Sequence, residues 1–133
     1  MPFVRSLAAL AALAVLATPA VANLEQEPRI TEGLIAVGMA HEIADVCPRL
    51  EGRTFRGLQY LLSLKSAAGR MGYSTQEINR FIDDDAAKDR LEAIARARLA
   101  AKGARRGDVE AHCRVGEAER AANSQIGLLL KVD

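Results

Sequence analysis

The chain has 133 residues, half of them hydrophobic, with 18 Lys+Arg against 17 Asp+Glu, few aromatics and no Trp. The length fits one domain with a core of Leu, Ile, Val and Ala. The near-neutral balance excludes the usual nucleic-acid binder, which carries a basic excess against phosphates.

The first 22 residues follow the three-part pattern of a secretory signal peptide. Met1–Ser6 is a short segment carrying Arg5, Leu7–Ala17 is an apolar run, and Thr18–Ala22 supplies Pro19 and a cleavage site, Ala20-Val21-Ala22. The apolar run is shorter than the roughly 20 residues that cross a bilayer. No Cys follows the cleavage point to take a lipid, and no Arg-Arg pair precedes the run. The expectation is a signal peptide over 1–22, a single periplasmic or secreted domain over 23–133, and no membrane span in the mature chain. Removing Arg5 leaves 17 bases against 17 acids.

Five helices are predicted in the mature chain. Asn23–Arg29 is polar and reads as a lead-in. Thr31 offers an N-cap for a first helix carrying Leu34, Val37, His41 and Ala44 on one face and Ile35, Met39, Ile43 and Val46 on the next. Pro48 ends it at Cys47. Thr54 can cap a second helix to about Met71, with Phe55, Leu58, Leu61, Leu62 and Ala68 as its periodic face, widened by Leu64 and Met71. After Gly72, Ser74-Thr75-Gln76-Glu77 is a capping box for a short third helix that buries Ile78, Phe81 and Ile82.

A fourth helix runs from about Ala86 to Lys102, with the stripe Leu91, Ile94, Ala95 and Leu99. Asp108 can cap a last helix reaching about Leu130. No segment alternates in strand fashion over a useful length. The fold class is therefore all-α, a compact bundle of four to five helices.

Cys47 and Cys113 are the only cysteines. Export would place them in an oxidising compartment, where pairing is the rule and only one intramolecular connectivity exists. The expectation is one structural disulfide. An intermolecular bond and a reactive thiol are the alternatives.

Few residues suggest chemistry. His41-Glu42-Ile43-Ala44-Asp45 is close to the zinc-protease pattern H-E-x-x-H, but Asp45 stands where that pattern needs a second His, and only His112 remains elsewhere. Asp83-Asp84-Asp85 lacks the alternating ligands and central Gly of a calcium loop, and is explained by Asp84 or Asp85 capping a helix. Lys88, Arg90, Arg96, Arg98, Lys102, Arg105 and Arg106 outnumber Asp89 and Glu92, so Arg98, Lys102, Arg105 and Arg106 form a candidate basic contact patch. Ser63, Ser66 and Ser124 have no nucleophile-elbow context. Gly127 in a helical run allows a close helix contact. No catalytic residue, cofactor or metal is assigned.

The stretches IxxGLIAVGMAHEIADVCP (Ile30–Pro48), RMGYSTQEINRFI (Arg70–Ile82) and CRVGEAERAANSQIGLLL (Cys113–Leu130) resemble a family of small exported proteins from Rhodobacter-like alphaproteobacteria, known only as a domain of unknown function. The resemblance spans nearly the whole mature chain. It implies the same Cys pair, the G-Y-S-x-x-E-I cap and the S-Q-I-G-x-L-L ending, and it implies no activity. The expected role is non-enzymatic, through contact with a protein or envelope partner. A periplasmic stress or chaperone-like module and an uncharacterised hydrolase are the alternatives.

Overall fold

The computed structural model describes residues 23–133, and the signal segment expected over 1–22 lies outside them. A single turn of 3-10 helix, Leu24–Gln26, leads into α1, Pro28–Val46. Helix α1 starts four residues earlier than a cap at Thr31 would have it, because Pro28 occupies its first turn. Proline is pre-set for that position and gives up a backbone N–H that would have had no partner there. Thr31 lies inside the helix, where its hydroxyl donates to the Glu27 carbonyl at 3.1 Å.

A three-residue strand β1, Leu50–Gly52, separates α1 from α2, Thr54–Arg70. Helices α3, Thr75–Ile82, and α4, Asp85–Ala101, follow, and then α5, Val109–Ala121, and α6, Gln125–Leu128. Strand β2, Leu130–Val132, closes the chain. The two short strands pair antiparallel, with Leu50 opposite Val132 and Gly52 opposite Leu130. Three residues per strand are too few to leave an alternating signature, so this ribbon has no counterpart in the sequence pattern.

The caps explain most boundaries. Ser74 and Glu77 form the capping box in full: the Ser74 hydroxyl accepts from the Glu77 N–H at 3.1 Å, and the Glu77 carboxylate accepts from the Ser74 N–H at 2.8 Å. Asp84 caps α4 by accepting from the Ala87 N–H, and Asp108 caps α5 by accepting from the Ala111 N–H. The helix expected to continue to Leu130 is broken instead. Asn123 takes a left-handed φ of 50°, and Ser124 caps α6 by accepting from the Gly127 N–H at 3.1 Å. Asn tolerates that conformation better than other residues with a Cβ.

Helix α1 is the axis of the molecule. It packs against α4, α5, α6 and α2. Its buried face, Ile35, Met39, Ala40 and Ile43, meets Leu50, Ala95, Leu99, Ile126 and Leu130 in the main core. The disulfide between Cys47 and Cys113, with Cα atoms 5.1 Å apart, joins the end of α1 to α5 inside that core. The intermolecular and free-thiol alternatives are thereby set aside. A second, smaller core of Leu24, Ile30, Leu64, Ala67, Ala68 and Ile78 lies between α1, α2 and α3.

Helix α2 departs from the expected orientation. It buries Leu64, Ala67 and Ala68, whereas Phe55, Leu58 and Leu62 are 73 %, 54 % and 54 % exposed. The reason is the close approach to α1 at Gly33, where a Cβ would stand 2.8 Å from Leu64 Cδ2 and 2.9 Å from the Tyr60 hydroxyl. The face carrying Tyr60, Leu64 and the two alanines fits that gap. The opposite face, with the larger side chains, is turned outward. Ile82 and Ile94, both expected inside, are also exposed.

Candidate functional site

A cleft of about 620 Å³ lies between α1, α2, α3 and α4. It arises where helices that converge on the second core diverge again. From α1 come Leu34, Val37, Gly38 and His41, which share a face by their spacing of three, four and seven residues. From α2 come Leu61, Leu62, Leu64, Lys65 and Ala68. Helix α3 gives Ile78, Phe81 and Ile82, and α4 gives Lys88, Leu91 and Glu92, and Leu24 and Ile30 complete the lining. The wall is overwhelmingly aliphatic. Its polar groups are His41, Lys65, Lys88 and Glu92, of which the first three are exposed.

Three interactions hold the cleft's frame. The Tyr73 hydroxyl, in the α2–α3 turn, donates to the Glu27 carboxylate at the start of α1 at 2.7 Å. That hydrogen bond stabilises the neutral phenol beside a negative charge and pushes the Tyr73 pKa up to about 12. On the α4 wall, Arg90 donates to Glu25 at 2.6 and 2.8 Å, and Arg98 pairs with Glu32 of α1. These guanidinium contacts hold the Glu25 and Glu32 carboxyls below the usual carboxylate range.

The basic segment of α4 is largely engaged by acids. Arg98 is paired with Glu32 and Arg96 with Glu92. Lys102 meets Glu119 at 2.8 Å and holds that carboxyl low. Arg105 and Arg106 are exposed in the turn after α4 and form no ion pair among the described residues. The four candidate patch residues therefore divide, two neutralised locally and two free.

His41 lines the cleft, whereas His112 is buried in α5 with its Nδ1 2.7 Å from the Asp108 carbonyl. No group of three or more His, Cys, Asp or Glu gathers in metal-holding geometry among the described residues. The Ser63 hydroxyl donates to the Tyr60 carbonyl within α2, and Ser124 serves as the α6 cap. No helix among the described residues is long and apolar enough to cross a membrane.

Most of the cleft's residues occupy positions that periodicity assigns to the core, and nothing in that pattern announces a cavity. Periodicity shows that Leu34, Leu61, Phe81 and Leu91 lie on apolar faces. It does not show that four such faces stop short of one another. The surplus of wide apolar faces over a chain this small was the available signal.

No curated protein and no solved structure matches the chain. Residues 22–131 match the profile described as a family of unknown function, DUF5333. That span contains every helix among the described residues, both cysteines and the whole cleft wall, and the chain belongs to this family of unknown function.

Proposed function

We propose that this is an exported, non-enzymatic binding domain whose cleft holds the apolar chain of an anionic amphiphile. In this reading residues 1–22 are a cleaved signal peptide and 23–133 a single domain that works in the periplasm or outside the cell. A buried disulfide and the lack of a spanning helix among the described residues fit that location.

The observation that carries the proposal is the cleft itself. Its 620 Å³ lies in the range of small-molecule sites, about 300–1,000 Å³, and it has the usual make-up of an apolar wall with few polar groups. Lys65 and Lys88 stand in the wall without an ion-pair partner among the described residues. An aliphatic chain would fill the wall between Val37, Phe81 and Leu91, and a carboxylate or sulfonate would meet the lysines.

The test is a titration of the folded protein with the anionic dye anilinonaphthalene sulfonate, followed by displacement with dodecanoate and dodecanol. The expected result is saturable dye binding, displaced better by dodecanoate than by dodecanol. Val37→Trp should abolish it, and Lys65→Gln with Lys88→Gln should erase the preference for the acid. No saturable binding, or binding unchanged by Val37→Trp in a protein with a normal helical spectrum, overturns the proposal.

A further inference from the structure

We propose that the outward face of α2 docks on an anionic lipid bilayer. The helix presents its largest apolar side chains to solvent, with Phe55, Leu58 and Leu62 each more than half exposed. At spacings of three and four residues they form one stripe, on the side opposite the buried Leu64, Ala67 and Ala68. Helical spacing places Lys65 along one margin of the stripe and Arg70 toward the other, with Arg56 turned further toward the packed side.

The charge of this region is of one sign. Arg53, Arg56, Lys65 and Arg70 are the ionisable groups from position 53 to 70 other than Tyr60, and no Asp or Glu occurs before Glu77. None of the four forms an ion pair among the described residues, in contrast to Arg90, Arg96, Arg98 and Lys102 on α4. Arg53 and Arg56 donate only to the carbonyls of Leu130 and Leu128. The mature chain is formally neutral, so this concentration of unpaired bases around an exposed apolar stripe is local.

An aromatic and leucine stripe flanked by basic side chains is the pattern of a helix lying in a membrane interface. Its apolar side chains enter the acyl boundary and its cations meet anionic headgroups. Charge selects the occupant. A bilayer carrying anionic lipid complements both the stripe and its margins, whereas a second copy of the chain would bring Lys65 and Arg70 against like charges. Leu61 and Leu62 belong to both the α2 surface and the cleft wall, so a helix seated on the bilayer would bring the cleft mouth to the lipid.

The test is flotation of the disulfide-bonded protein with vesicles of phosphatidylcholine alone or mixed with phosphatidylglycerol, at low and high salt. Binding is expected to the anionic vesicles, weaker at high salt, and at least tenfold weaker to phosphatidylcholine. Each base near an anionic surface contributes about a fivefold gain in partition, so Arg70→Gln should cost roughly fivefold. Phe55→Ser, Leu58→Ser and Leu62→Ser together should remove binding while circular dichroism and the melting temperature hold, because these side chains are exposed. Val37→Trp, which fills the cleft, should leave vesicle binding intact, so loss of cleft binding and loss of docking are read separately. No flotation with anionic vesicles overturns the proposal, as does flotation that survives the triple serine variant. A dimer in light scattering that the triple variant dissociates, without vesicle binding by the parent, assigns the face to self-association and also overturns it.

Discussion

Replacing Gly127 with Ala provides a sharp check on the packing of α6 against α5. A Cβ at position 127 would stand 2.0 Å from the Glu119 carbonyl oxygen and 2.4 Å from its carbon. Ordinary contact begins near 3.4 Å, so α6 must move by about 1.4 Å. The obstacle is backbone and cannot rotate aside. That same carbonyl accepts from the Ser124 N–H at 3.2 Å, and the Ser124 hydroxyl in turn caps Gly127, so the displacement also loosens the cap. Overpacking costs about 1–3 kcal/mol and a lost cap about 1 kcal/mol, which together give a destabilisation of about 3 kcal/mol. In a domain of this size the melting temperature should fall by on the order of 10 °C. Gly57→Ala in α2, where an added Cβ meets nothing within 4 Å, is the opposite case. It should stabilise by about 0.5–1 kcal/mol, the difference between Gly and Ala inside a helix. Calorimetry or thermal circular dichroism reads both. A Gly127→Ala protein that melts with the parent would refute the claimed contact, whatever Gly57→Ala does.

The disulfide closes a 66-residue separation, for which the chain-entropy account gives about 4 kcal/mol. Cys47→Ala with Cys113→Ala should lower the urea midpoint accordingly, and dithiothreitol should destabilise the parent but not this variant; a parent indifferent to reductant contradicts it. For Tyr73, the folded pKa of about 12 lies above the ordinary value of 10, so its contribution to stability is complete below pH 10 and is lost as pH rises toward 12. The ultraviolet difference between the parent and Tyr73→Phe during alkaline titration should show a phenol ionising near 12, and Glu27→Gln should bring it back toward 10. A midpoint near 10 in the parent would mean that the Glu27 hydrogen bond is not formed.

Much of the fold was legible because its determinants are local. The Ser74–Glu77 box, the Asp84 and Asp108 caps and the stop after Cys47 each depend on a few adjacent residues. The pairing of two cysteines needed only their number and the expected compartment. The start of α1 was misplaced because a good cap residue, Thr31, competed with a proline three positions earlier. The break at Asn123 was missed because Ala121-Ala122-Asn123-Ser124 carries neither Gly nor Pro, and the conformation is imposed by α6 folding back on Glu119. The candidate site was less legible for a related reason. Periodicity identified the apolar positions of α2 but grouped the exposed Phe55, Leu58 and Leu62 with the buried Leu64 and Ala68, since which face is buried depends on Gly33 in another helix. An empty volume between four helices, and a leucine stripe facing water, are properties of assembly that no single window of sequence contains.

The Cys47–Cys113 bond also decides how the molecule would respond to tension. A force applied between Asn23 and Asp133 follows the covalent path through the two sulfurs and bypasses everything between them. Only residues 23–47 and 113–133 can be drawn out, roughly 150 Å at about 3.4 Å per residue. Helices α2, α3 and α4 hang from that path as a closed ring that carries no load. Pulled between these two residues, the oxidised chain would surrender α1, most of α5, α6 and the ribbon, while the arch that forms most of the cleft would lose its floor before it was ever stretched.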